Sequence, residues 1–287
     1  MRAERYWQQA RSVSERALDS GALVPLATRV LALPGVDPFL LRRLEGAPPR
    51  HLSREGPKPN PFLPWEAPLE IGRLADSHAL ILNKYPVQPC HLLLITQGWQ
   101  PQTGWLEEAD WRAVAHVAGD TGGLWFFNSG PTAGASQPHR HLQLLPRHPG
   151  EPSCPLASVL QNHLQEPEAQ PLWSWLFALS PRSDPRGGTD LPGLYREHAR
   201  RLALGCPEET RHPCHPYNLI FDDDWFLTVR RVREHCAGFS VNGLGFAGFL
   251  LCTAHSDLAW LERHGPWRLL AEVAAQRPEA GGSGARV

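Results

Sequence analysis

The alternation of apolar and polar residues changes period several times along the chain, and each change predicts an element. Residues 4–20 repeat at helical spacing and stop at Gly21; residues 37–45, stopped by Gly46, predict a short second helix. The next stretch, "APPRHLSREGPKPNPFLPWEAP", is too rich in proline to be regular. "HALILNKYPV" and "HLLLITQ", separated by Gln88-Pro89-Cys90, read as neighbouring antiparallel strands. Trp111, Val114, Ala115 and Ala118 fall at i, i+3, i+4 and i+7, an amphipathic helix that Gly119 should end. "LWFFNSG" predicts a strand that leads through a loop of small residues into another, "HRHLQLLPR", and residues 155–165 predict a helix.

From about residue 166 to 189 the composition shifts to "QEPEAQP" and "SPRSDPRGGTD" around one short apolar helix, which suggests a boundary. Leu191, Leu194, Tyr195, His198 and Leu202 then form a helical stripe. "YNLIFDDDWFLTVRR" predicts a hairpin turning on its aspartates, and "GFAGFLLCTAH" one more strand. A last helix should start at Pro266 and run into "GGSGARV", a disordered end by composition. Antiparallel strands with helices outside them predict an α+β fold: a mainly antiparallel sheet flanked by helices, not a doubly wound one. The expected organisation is an N-terminal domain over 1–168 carrying the histidine strand, a C-terminal α+β domain over 190–275 packed on it, and a tail over 276–287.

Composition narrows the function. With 28 basic against 29 acidic residues the net charge is −1, which argues against a general nucleic-acid binder. No apolar run is long enough for a membrane span, and the N-terminus lacks a signal-peptide core. Six scattered cysteines in 287 residues make no disulfide framework, so a cytoplasmic protein with reduced thiols is expected, as a monomer.

The strand after the small-residue loop carries His139, His141 and Gln143 on one face and Arg140, Leu142 and Leu144 on the other. Residues two apart in a strand are spaced by ~6 to 7 Å, which suits groups lining a phosphate chain. A neutral imidazole can attack phosphorus if its other nitrogen is held by an acceptor. His141, between the other two, is the better nucleophile candidate, His139 a binding or orienting one, and Gln143 can donate an amide N–H but no proton. Gly130, Gly134 and Ser136 of the loop could present backbone N–H groups to an anion. Two other readings stay open: a metal pair completed by His148, Cys154 or His163, and a polar sheet edge without chemistry. Cys206, His212, Cys214 and His215 form a second conceivable zinc set, without the paired Cys-x-x-Cys of strong sites.

"GASQPHRHLQLLP" resembles the diadenosine tetraphosphate phosphorylases (ATP adenylyltransferases), the nucleotide-transfer branch of the histidine triad superfamily. "KPNPFLPWEAPLEIG", "HALILNKYPVQPCHLLLIT", "FNSGPTAGASQPH", "HPYNLIFDDDWFLTVRR" and "SVNGLGFAGFLL" resemble further blocks of that family, in order, over roughly residues 55–255. The resemblance implies a histidine-triad-like sheet with a C-terminal adenylyltransferase part. It also implies covalent transfer of AMP through His141, with diadenosine tetraphosphate and phosphate giving ATP and ADP. Gln143, where hydrolytic relatives carry a third histidine, implies transfer to phosphate rather than water. Arg140 tells against the uridylyl-transferring relatives, which usually show His-Pro-His. Rival readings are a related adenylyltransferase using sulfate or another nucleotide, and a non-catalytic nucleotide- or metal-binding sensor.

The same blocks suggest polyphosphate contacts from Lys58 and Lys84, each otherwise a solvated surface lysine. Asn83, Asn128, Ser129, Gln137 and Asn242 are candidate substrate contacts, each otherwise a turn or bend residue. His91 is a candidate to orient a catalytic histidine. Of Arg230 and Arg231 at most one faces the site, and Arg231 is the choice carried forward. Mg²⁺ is expected only with the nucleotide, because no dedicated metal-ligand set stands out.

Overall fold

The computed structural model describes residues 2–46, 60–166 and 172–277. Eight strands form one antiparallel sheet in the order β3 (Glu70–Leu74), β4 (His78–Leu82), β5 (Leu92–Thr96), β7 (His141–Leu145), β6 (Leu124–Asn128), β9 (Tyr217–Phe221), β10 (Trp225–Arg230) and β8 (Phe177–Pro181). A smaller sheet joins β1 (Thr28–Val30), β2 (Leu40–Leu44) and β13 (Phe249–Cys252), and β11 (His235–Cys236) pairs with β12 (Phe239–Ser240). The helices are α1 (Arg5–Asp19), α2 (Glu108–Thr121), α3 (Ala157–Gln165), α4 (Leu191–Arg201) and α5 (Leu258–Val273). The fold is α+β, as the pattern predicts.

The alternation along each strand decides how the sheet is covered. Leu80, Leu82, Leu92, Leu94, Leu142 and Leu144 point to one face and pack against α1, α2 and α4. On the opposite face, Phe126, Ile220, Trp225 and Leu227 pack against α3, α5 and the small sheet. Among the described residues that second layer does not extend over β4 and β5, where Ala79, Ile81, Leu93 and Ile95 pack against Phe62 and Trp65. β7 lies at the step between thick and thin cover, and His141 and Gln143 face the thin side. The candidate site lies where the second layer, as formed by the described residues, ends.

Several expectations are corrected. Residues 37–45 contain no helix: Leu40–Leu44 is strand β2, which pairs in parallel with β13, some 200 positions later in sequence. The expected apolar helix near residue 175 is strand β8, in which Phe177 and Leu179 face one layer and Ala178 the other. "GFAGFLLCTAH" is not one strand, because Gly243–Ala247 is a 3₁₀ turn and only Phe249–Cys252 is extended. α2 passes Gly119 and ends at Thr121, with Gly122 as its cap. Pro266 does open a helical segment, but α5 starts earlier, at an Asp257 cap, and breaks at Gly265 (φ 76°). The tail expectation lies outside the described residues beyond 277. All six cysteines are unpaired, and among the described residues no helix is long and apolar enough to cross a membrane.

Behind β7, Arg140 is 3% exposed and its guanidinium donates to Asp110 (3.0 Å) and Glu107 (3.2 Å). Asp110 also meets His78 Nε2 at 2.9 Å and accepts the Glu107 N–H, so one carboxylate ties β4, β7 and the start of α2 together. The sequence placed Arg140 on the face away from the site, and there it is anchored.

Candidate functional site: three imidazoles with fixed protons

Three histidines meet on the thin side of the sheet, and the surrounding groups decide where each carries its proton. A carbonyl only accepts, so a ring nitrogen facing one must donate. His139 Nε2 lies 2.8 Å from the Thr96 carbonyl, so it holds the proton. Its Nδ1 then accepts from the Asn60 amide at 2.9 Å, and Asn60 is oriented by its Oδ1, which accepts the Phe62 N–H at 3.0 Å. The same device recurs at His91. The Tyr85 N–H donates to Asn83 Oδ1 (3.1 Å), so Asn83 Nδ2 donates to His91 Nδ1 (3.1 Å), and His91 Nε2 donates to Gln143 Oε1 (3.0 Å). With its oxygen occupied, Gln143 has only its NH₂ left for a ligand.

His141 is the opposite tautomer. Its Nδ1 donates to the His139 carbonyl at 2.8 Å, which leaves an unprotonated Nε2 with no partner among the described residues. Burial lowers the pKa of His141 and of His91 to about 4 each, and lowers that of His139 as well, so the rings are neutral at pH 7. Phe62 stands edge-on to His139 and His141, with ring centroids 5.6 and 5.4 Å away. A neutral imidazole with one nitrogen pinned and the other carrying its lone pair is the form that attacks phosphorus.

The remaining candidates fall into two groups. Asn83 and His91 join the histidines, though Asn83 acts there on an imidazole. Lys84 lies next to Asn83 with its ammonium 2.6 Å from Glu66, so an incoming phosphate would compete with that carboxylate. Ser136 is exposed and Gln137 half-buried at the open end of the loop. Lys58 lies outside the described residues.

The others build the loop from behind. Asn128 Oδ1 accepts from Asn218 (2.8 Å) and the Gly243 N–H (2.9 Å), so only its amide nitrogen remains for a ligand. Ser129 Oγ accepts the Tyr217 N–H at 2.8 Å. Asn242 caps the 3₁₀ turn through Leu244 N–H at 3.0 Å. Gly134 (φ 85°) is needed for close approach, since a Cβ there would lie 2.7 Å from that of Asn242. The expectation that Gly134 offers its N–H to an anion is corrected: that N–H donates to Pro131, and those of Ala133 and Ala135 donate to Gly130. Arg231 is corrected too. It is 1% exposed, and its guanidinium donates to the carbonyls of Val273, Arg233 and Val241 and to Asn218 Oδ1, which puts it under the loop rather than toward a ligand.

The pattern of residues missed Asn60, Thr96 and Gln102. Gln102 is 1% exposed, its Oε1 accepting the His141 N–H (2.8 Å) and its amide donating to the carbonyls of Asn128 (2.7 Å) and His141 (3.2 Å). It sits in "QGWQPQTGW", which has no period to read; Asn60 and Thr96 lay in blocks the sequence had marked, but nothing in either block pointed to a histidine partner. Among the described residues no three His, Cys, Asp or Glu side chains converge as metal ligands.

Buried histidines also predict a pH dependence. His198, between Ser180 and Thr228, is lowered to about 3 by burial. With folded values below the unfolded ~6.5, the contribution of His91, His141 and His198 is complete above that pH and is lost as pH falls toward 4, by about 1.4 kcal/mol per pH unit for each. Asp222, raised to about 6 by burial, opposes part of this fall. Urea unfolding at pH 7, 6 and 5 should show the decline, and His198→Gln should reduce its slope by about one proton. Equal slopes in the two proteins would contradict the assignment.

Fold and site together define an α+β protein whose sheet carries one neutral imidazole with an unprotonated Nε2 beside a carboxamide whose oxygen is already bonded. Residues 1–162 match the Ap4A phosphorylase N-terminal domain and residues 163–276 the ATP adenylyltransferase C-terminal domain, and the chain belongs to this Ap4A phosphorylase family. Protein APA1 of Saccharomyces cerevisiae is 41% identical over 80 residues, 25% of this chain and 25% of its own length. Diadenosine tetraphosphate phosphorylase 2 of the same yeast is 27% identical over 206 residues, 61% of this chain and 62% of its own. The chain thus matches less than two thirds of either relative's length. The crystal structure of yeast Ap4A phosphorylase Apa2 superposes with a TM-score of 0.72 at 21% identity, covering 98% of both chains. That of the same enzyme in complex with Ap4A gives 0.73 at 20% identity, covering 97% of this chain and 100% of that one. The shared architecture is the fold.

Proposed function

We propose that this protein is a nucleotidyltransferase that splits diadenosine tetraphosphate with inorganic phosphate into ATP and ADP, reversibly, through AMP bound to His141. The observation that carries the proposal is the tautomer of His141. Its Nδ1–H is held by the His139 carbonyl, so Nε2 carries the lone pair, with no partner among the described residues. Nε2 attacks an α-phosphorus, a P–N bond forms, and the P–O bond to the departing ATP breaks. A phosphate oxygen then attacks the same phosphorus, the P–N bond breaks, and ADP leaves with the imidazole neutral again. The Gln143 NH₂ donates to a non-bridging oxygen as charge shifts, and it has no proton to give to a leaving group. ATP leaves as a stabilised anion, so positioning and charge compensation dominate. Mg²⁺ would arrive with the polyphosphate.

The test is incubation with diadenosine tetraphosphate with and without phosphate, followed by separation of the products. ATP and ADP forming only when phosphate is present supports the proposal. ATP and AMP at the same rate in both tubes would make the protein a hydrolase, and faster turnover with sulfate would select the rival acceptor. Gln143→His is expected to slow phosphorolysis on the order of tenfold and to raise the share of AMP among the products, because a third histidine supplies a proton donor for water chemistry. An unchanged product ratio would remove Gln143 from that role.

A further inference from the structure

We infer that Gln102 is a positioning residue for His141, its side-chain amide standing in for a peptide unit where β6 and β7 part. The catalytic half of this inference rests on the nucleotidyl-transfer reading above. The β6–β7 ladder runs Leu124↔Leu145, Trp125↔Leu144, Phe126↔Gln143 and stops. Continued for two more residues, this register would set Asn128 against His141. Instead the Gln102 carboxamide fills that gap, donating to the carbonyl of Asn128 on one strand and both accepting from and donating to His141 on the other.

Two consequences follow. The strands splay at the point where one turns into the loop at residues 129–138 and the other carries the imidazole. The His141 backbone, held at both its N–H and its C=O by one amide, is fixed in direction, while the ring is fixed separately through Nδ1. Gln102 is itself held in place, because its N–H donates to the Pro138 carbonyl (2.8 Å) and the neighbouring Pro101 bridges to His139. A group buried to this degree, with every bond spent on the two strand ends, does not reach the substrate. Its effect on chemistry passes through the aim of Nε2.

The test uses the full chain with Gln102→Leu and Gln102→Glu. Leucine keeps the approximate volume and removes all three bonds. It should slow single-turnover AMP transfer to His141 on the order of 10²-fold, the cost of a misaimed group, with KM within about threefold. Backbone hydrogen exchange at the His141 N–H, read by NMR, should accelerate by about tenfold or more. In Gln102→Glu a protonated carboxyl can still accept from His141 N–H and donate to the Asn128 carbonyl, whereas an ionised one cannot donate. Its transfer rate, unlike that of the parent, should therefore recover as pH is lowered. A lower melting temperature with unchanged transfer rate and unchanged His141 exchange would overturn the inference, as would a KM increase that accounts for the whole loss. Should the leucine variant not fold, the pH profile of the glutamate variant decides alone. If the parent forms no AMP adduct, the nucleotidyl-transfer reading fails, and the exchange measurement still decides whether Gln102 holds His141.

Discussion

Replacing His141 by alanine is expected to reduce phosphorolysis at least on the order of 10⁴-fold, because the bond-forming atom is removed and neither of the two other imidazoles can take its place. His139 and His91 are neutral as well, but each has its Nε2 proton directed at an acceptor, Thr96 and Gln143 respectively. Neither can present a lone pair without breaking the bonds that orient it. The alanine variant should bind nucleotide and stay folded, since the truncation leaves a single carbonyl, that of His139, without its partner. His139→Ala should be slower than the parent yet still form the adduct. Quenched samples analysed by mass spectrometry would locate AMP. An adduct on another side chain, or steady turnover with none, would refute the assignment.

Arg231→Met is expected to cost about 3–5 kcal/mol of unfolding free energy, the range for breaking a buried, hydrogen-bonded charged group. Methionine fills much of the volume, but the carbonyls of Val273, Arg233 and Val241 lose a donor in a place water does not reach. Burial already lowers the guanidinium pKa to about 9, a sign of how much the cage must offset. Urea midpoints measure the loss, and KM for the dinucleotide should stay within about threefold. Retained stability with KM raised tenfold would return Arg231 to the ligand side.

What the sequence made legible was what repeats locally. The His139–His141–Gln143 face follows from a period of two, and the helices α1, α2 and α4 from a period of 3.6. β8 was readable in the same way, since Trp173 and Trp175 before it and Phe177 and Leu179 within it alternate into one layer, but the short apolar run between two proline-rich stretches reads as a helix. β2 was not, because its identity as a strand depends on a parallel partner near the other end of the chain. Arg231 looked like a phosphate ligand because an arginine at a strand end is ambiguous until the carbonyls around it are known. The proton placement on the three imidazoles was equally hidden, since it depends on the backbone carbonyls of Thr96 and His139 and on Asn83, itself oriented by a backbone N–H two residues on.

The junction of β6 with β9 has a final implication for fragments of this molecule. The two family matches divide at residues 162 and 163, yet the ladder from Trp125↔Phe221 to Asn128↔Asn218 crosses that division in the middle of the sheet. A piece cut there would leave the backbone amides of an aromatic-rich five-residue strand unpaired and facing water, the kind of border that recruits foreign strands and precipitates. Neither half should be stockable alone, and split versions should regain solubility only when made together in one cell.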